Sequence, residues 1–117
     1  MKENKKIYNC SFEATLDIIG GKWKILILWY LGKQGVLRNG ELVRILPNIS
    51  QKMLTQQLRE MENDKLINRI VYDIVPPKVE YLLTEDGKNL LPIVEVMRNW
   101  GIEYTTKYNI KLLKNSK

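Results

Sequence analysis

The chain changes its hydrophobic period once, near residue 65, and that switch limits the folds open to it more than any other feature. Residues 40–46 (GELVRIL) read as a short helix, and Pro47-Asn48 breaks it because proline supplies no N–H to a helix interior. Ser50 is a good N-cap. From there to residue 64, Met53, Leu54, Leu58 and Met61 recur on one side at helical spacing. Beyond residue 64 the period falls to two. Ile70, Tyr72 and Ile74 share a face of a strand over 69–74, and Val79, Tyr81 and Leu83 share a face of a strand over 79–83. Val75-Pro76-Pro77-Lys78 joins them as a stiff tip that carries a cation. Helix, tight turn, amphipathic helix and hairpin together make a winged helix-turn-helix.

The flanks complete a mostly α chain with a small β-hairpin (α+β). A first helix over 11–19 has Phe12, Leu16 and Ile19 on one face and ends at Gly20-Gly21. A second, over 22–31, is apolar almost all round after Lys22 and Lys24, as central buried helices are. Gly32 and Gly35 bracket the turn that follows. Thr84 caps a last long helix, with Glu85 and Asp86 in the first turn where the dipole favours them. Pro92 should kink or divide it, and Leu90, Ile93, Val94, Met97, Trp100 and Tyr104 form its broad apolar side. The expected organisation is one domain over 1–117: a frayed 1–8, the helix-turn-helix at 40–64, the wing at 67–83 and a C-terminal helix at 84–105. The tail to Lys117 is basic.

Charge narrows the partner. The 117 residues carry 19 Lys and Arg against 13 Asp and Glu, a net +6. Residues 1–60 hold 10 cations and 5 anions, and residues 61–117 hold 9 and 8, so the excess lies in the first half. That predicts a polyanionic partner, a nucleic acid or an anionic membrane surface. The longest apolar run, 25–31, falls far short of the roughly 20 residues a membrane-spanning helix needs, and MKENKKIYN has no apolar signal-peptide core. A single cysteine, Cys10, allows no internal disulfide, which fits a reducing cytoplasm. There is no histidine, the commonest general base. With no phosphate loop, metal-ligand cluster or Ser/His or Cys/His pair, the chain offers neither catalytic machinery nor a cofactor site.

The helix after Ser50 carries the strongest functional signal. In ISQKMLTQQLR (49–59) the polar side bears amides, hydroxyls and two cations, with no carboxylate before Glu60. Helix starts normally favour acids; an anion in front of this one explains their absence. The pole opposite the apolar stripe holds Lys52, Thr55, Gln56, Arg59 and Asn63, with Ser50 and Gln51 at the tip. Gln pairs with adenine, Arg or Lys with guanine, and Ser or Thr with base edges or phosphate. Gln57 lies toward the core side and should bond locally. The later acids Glu60, Glu62 and Asp64 have no account at this level. A solvated helix face with accidental charge order is the competing reading.

At this point the motifs DIIGGKWK (17–24), LPNISQKMLTQQLRE (46–60), VPPKVEY (75–81) and LTEDG (83–87) resemble the HxlR-type family of bacterial winged helix-turn-helix transcriptional regulators, similar in architecture to the MarR group. The resemblance covers residue 10 to about residue 100. It implies a homodimer built through the N- and C-terminal helices, a recognition helix in the major groove and a wing on the adjacent backbone or minor groove. Two recognition helices should then lie about 34 Å apart on an imperfect palindrome in double-stranded DNA. The DNA-binding residues expected are Arg38, Ser50, Gln51, Lys52, Thr55, Gln56, Arg59 and Lys78, with Arg38, Ser50 and Lys78 on phosphates. The chain departs from the family twice. Asn39 stands where an aromatic is usual, which predicts looser packing there, and Lys65 stands where Gly is usual, which makes a positive φ costly.

Cys10 matches a cysteine that family members often carry before the first helix and that in some members senses oxidants or electrophiles. A thiol at a helix N-terminus near Lys5 and Lys6 is biased toward thiolate; the alternative is a small apolar residue packed against Phe12. Phe12, Trp23, Trp29, Tyr30 and Trp100 could line a pocket for a small effector at the dimer interface, although aromatics at helical spacing are more often core. The competing function is a winged-helix module that binds protein. Such modules commonly lose basic charge from this face, and Lys52, Arg59 and Lys78 remain.

Overall fold

The computed structural model describes residues 6–113. Six helices, α1 (Ser11–Ile19), α2 (Lys22–Gln34), α3 (Asn39–Ile45), α4 (Gln51–Asn63), α5 (Glu85–Asn89) and α6 (Leu91–Lys107), surround a sheet of β1 (Val36–Arg38), β2 (Ile67–Tyr72) and β3 (Lys78–Leu83). The sheet is antiparallel in the order β1-β3-β2. The helix-turn-helix and a hairpin form where the periodicity predicts them, but β2 ends at Tyr72, Ile74 lies outside it, and Ile70 and Tyr72 fall on the face of the sheet opposite to Val79, Tyr81 and Leu83 and stay exposed. β1 is an addition: residues 36–38 are too short to show a period, and they pair with β3 only once the hairpin exists.

The core lies where α2 crosses the helix-turn-helix. Ile27, Leu28 and Leu31 of α2 meet Leu42, Leu46, Leu54, Leu58 and Met61, and all eight are at most 2% exposed. α2 runs one turn past the expected end, through Gly32, and closes at Gly35, whose φ of +85° suits glycine and whose N–H reaches Leu31 O at 2.8 Å. Gly32 is inside the helix because α6 packs against it. A Cβ there would sit 2.7 Å from Leu91 Cδ2. In the α3–α4 turn Asn48 takes φ +63°, a conformation Asn tolerates better than most residues.

The last helix is divided. Thr84 Oγ1 accepts Gly87 N–H at 3.1 Å and caps α5, as expected. A second helix then starts at Leu91 with Pro92 in its first turn, where a missing N–H costs nothing. α6 packs on α2 through Val94 but turns Ile93, Met97, Trp100 and Tyr104 largely outward. Phe12 and Leu16 of α1 are also exposed, at 80% and 68%. The apolar sides expected on α1 and α6 are therefore left uncovered by this single chain.

Candidate nucleic-acid interface

α4 is fixed by three buried side chains and a cap. Leu54, Leu58 and Met61 are buried, and Ser50 Oγ accepts Met53 N–H at 3.1 Å. Met53 lies at the edge of the stripe, 36% exposed, and not inside the core. Gln57 donates to its Sδ at 3.6 Å, so it bonds locally. Gln51, Lys52, Thr55, Gln56 and Arg59 border one open concavity together with Glu60. Gln51 Nε2 lies 3.3 Å from Thr55 Oγ1, and Gln56 Nε2 lies 3.3 Å from Glu60 Oε2, so both amides are preset along the helix. Lys52 and Arg59 have no ion-pair partner among the described residues.

The structure supplies a reason for the first of the late acids. Lys24 of α2 is 7% exposed, and its Nζ meets Glu60 Oε1 at 2.7 Å. The Lys24 hydrogen bond, opposed by partial burial, holds the Glu60 carboxyl below its ordinary value. Glu60 therefore ties α4 to α2. No period in the sequence marks this pair, because a lysine in an apolar helix start reads as a solvated end.

The wing residues sit differently from expectation. In the ladder Leu37, Tyr81 and Arg69 form one row and Arg38, Glu80 and Ile70 the next. Directly paired residues share a face. Tyr81 and Val79 point toward α4, since they border a cleft with Leu58 and Arg59. Arg38 thus lies on the far face of the sheet, away from the α4 set. Lys78 is not at the tip but at the first ladder position opposite Tyr72. Its Nζ is 3.4 Å from Glu80 Oε2 and 4.6 Å from the Tyr72 ring centre. The Tyr72 hydroxyl donates to Glu80 Oε1 at 2.9 Å and holds that carboxyl low, with Lys78 adding to the effect. The tip itself carries exposed Ile74 and Val75.

Two residues absent from the expected set face α4. Asn39, in the first turn of α3, and Arg69 of β2 border the cleft with Thr55, Leu58, Arg59, Glu62, Val79 and Tyr81, a cavity of about 530 Å³. Arg69 was not identifiable from the strand alone, because the more apolar parity, Ile70, Tyr72 and Ile74, points the other way; its pairing with Tyr81 places it on the α4 side.

Cys10 is exposed and is the residue before the first turn of α1. It does not pack against Phe12, which points to solvent. Lys6 is engaged elsewhere: its Nζ lies 3.0 Å from Asp17 Oδ2, which also accepts the Tyr8 hydroxyl at 2.5 Å. Tyr8 first and Lys6 second hold Asp17 below the usual carboxylate value. Lys6 and Tyr8, within the stretch expected to fray, thus bond to α1 through Asp17, while Ile7 is exposed; Lys5 lies outside the described residues. Of the five aromatics, Trp29 borders a cavity of about 330 Å³ between α2 and α6, whereas Phe12 and Trp100 are exposed.

A three-stranded sheet, a capped recognition-type helix and a wing define a winged helix-turn-helix regulator of transcription. Residues 18–109 match the HxlR-like helix-turn-helix family, and the chain belongs to it. It is 56% identical over 103 residues, 88% of this chain and 81% of the relative, to YtcD of Bacillus subtilis (strain 168), an uncharacterized HTH-type transcriptional regulator. Among solved structures it is similar to the redox regulator HypR in its oxidized form, at 52% identity and TM-score 0.76, covering 80% of this chain and 96% of that one. It is also similar to the reduced form of the transcriptional regulator YodB from B. subtilis, at 32% identity and TM-score 0.66, covering 80% and 91%. No helix among the described residues is long and apolar enough to cross a membrane.

Proposed function

We propose that the protein is a homodimeric, sequence-specific DNA-binding regulator that lays α4 in the major groove and its wing along the adjacent backbone. The observation that carries this reading is the outward face of α4: two unpaired cations, two amides held along the helix and no acid in the first turn. Gln51, Thr55, Gln56 and Arg59 read bases, with Lys52 on bases or phosphate. Ser50 holds phosphate beside α4, whereas Lys78 and Arg38, set on the far face of the sheet, reach only backbone beyond the wing, Lys78 exchanging Glu80 for the phosphate when it does so. A second copy covers the exposed apolar sides of α1 and α6. Lys52 and Arg59, unpaired among the described residues, favour a polyanion over a neutral protein surface, which would desolvate them without compensation.

The test is fluorescence anisotropy on the DNA upstream of the protein's own gene and on a scrambled duplex. Gln51→Ala and Gln56→Ala should lose the preference between the two, and Lys78→Ala should weaken both alike. Equal losses on both duplexes for the Gln variants would overturn the base-reading assignment.

A second reading concerns Cys10. Its exposure at the start of α1, beside the surface assigned to the dimer, supports an oxidant or electrophile switch, and the relative HypR is a redox regulator. One cysteine per chain permits an intersubunit disulfide, a mixed disulfide or an adduct.

A further inference from the structure

The cleft between α4 and β2 gathers more positive charge than the fold requires. Arg59 enters it from the helix and Arg69 from the strand, with Thr55 and Asn39 as the neutral hydrogen-bonding groups. Glu62 also borders it, yet it makes no ion pair with either arginine among the described residues. Two arginines against one carboxylate leave the cleft with a net positive charge, which favours an anion in it. Buried Leu58 and Tyr81 form an apolar floor, which strengthens any charge interaction above it. The cleft opens beside Thr55 and Arg59, residues that also border the concavity of α4 proposed to face bases.

We propose that this cleft seats a phosphate of the DNA backbone, with Arg69 as the anchor, Asn39 as the second donor and Arg59 adding its charge from the rim that the cleft shares with the base-facing concavity. The inference rests on the DNA-binding reading above and adds a strand residue to it. Arg69 projects from the sheet beside the helix. It meets the backbone where the strand of DNA leaves the groove occupied by α4 and passes to the wing. Guanidinium forks match phosphate oxygens in pairs, and the contact carries no sequence information.

The experiment measures affinity against salt for an operator-containing and a random duplex. Arg69→Gln should weaken both equally and lower the slope of log K against log salt by about 0.9 per protomer, since one phosphate contact is lost. Arg69→Lys should restore most of the slope. Asn39→Asp is the second variant. It puts a carboxylate into the cleft while adding an acid to the first turn of α3, where the dipole favours one. It should weaken binding to both duplexes with no loss of thermal stability. Unchanged affinity and slope for Arg69→Gln, with wild-type protein bound to DNA, overturns the seat and leaves the DNA reading intact. Wild-type protein that binds neither duplex overturns the DNA reading itself. Inorganic phosphate that binds in an Arg69-dependent way, while DNA affinity ignores Arg69, assigns the cleft to free phosphate and also overturns the proposal.

Discussion

Glu60→Gln tests the brace between α2 and α4, and the structure predicts an asymmetric result. Lys24 has a side chain only 9% exposed, whereas the Glu60 side chain is 43% exposed. Removing the carboxylate leaves a nearly buried ammonium with a weaker, neutral acceptor. A fully buried pair broken in this way costs about 3–5 kcal/mol, and a hydrogen bond to a charged group contributes about 1.5–3 kcal/mol. Water reaches Glu60, so the lower part of that range applies, and we expect a loss of about 1–2 kcal/mol. For 117 residues each kcal/mol is a shift of about 4 °C in Tm. Lys24→Met instead leaves Glu60 free to hydrate and fills the same space with an apolar stem, so it should cost under about 1 kcal/mol. Urea and thermal unfolding at one fixed protomer concentration give both numbers, because dimer dissociation makes Tm concentration-dependent. pH supplies a second signature. The folded-state pKa of Glu60 lies below its unfolded value, so its contribution is present above the unfolded pKa and fades as pH falls through the folded one. The gap between wild type and Glu60→Gln should therefore close in acid. A Lys24→Met loss equal to or larger than that of Glu60→Gln, or a gap that does not change with pH, would refute the reasoning.

Three further outcomes are expected. Lys65→Gly should raise stability by about 0.5–1 kcal/mol, because relief of a left-handed residue (about 1–2 kcal/mol) exceeds the entropy that glycine adds to the unfolded chain. The urea midpoint should rise with an unchanged m-value. Gly87→Ala should be strongly destabilising, by about 2–3 kcal/mol, although alanine is the better helix former; its Cβ would lie 2.2 Å from the Leu66 carbonyl oxygen, and backbone cannot step aside. A soluble, fully stable Gly87→Ala protein would show that α5 shifts freely on the sheet. Cys10→Ser should abolish any effect of diamide on DNA affinity measured by anisotropy, and an equal response in that variant would end the sensor reading.

The fold was legible where a period was long enough to count. α1, α4 and β3 follow spacings of 3.6 and 2, β2 is displaced by two residues from its expected span, and the caps at Ser50 and Thr84 hold as side-chain hydrogen bonds. β1 was not legible because three residues establish no period and their pairing partner lies more than forty residues away. The end of α2 was not legible, because Gly32 resembles a terminator. Only the approach of Leu91 distinguishes a packing glycine from a capping one. Lys65 occupies a left-handed position, φ +63°, where the family pattern has Gly.

The polar side of α4 was legible as a list and not as an arrangement, and the difference lies in what charge order alone can say. A run without acids followed by Glu60, Glu62 and Asp64 reads as one reversed dipole preference. In three dimensions it divides. The first two turns face outward, where an acid would repel phosphate, and the third turn meets Lys24, where Glu60 neutralises a cation that the core has nearly enclosed. The same division separates the cations of the wing. Lys78 and Arg38 look free in the sequence, but the ladder sets both on the face that carries Glu80, whereas Arg69 sits on the face of α4 with no ion-pair partner among the described residues. Strand parity therefore decides which cations of the wing are available to an anion beside α4, and a net charge of +6 does not.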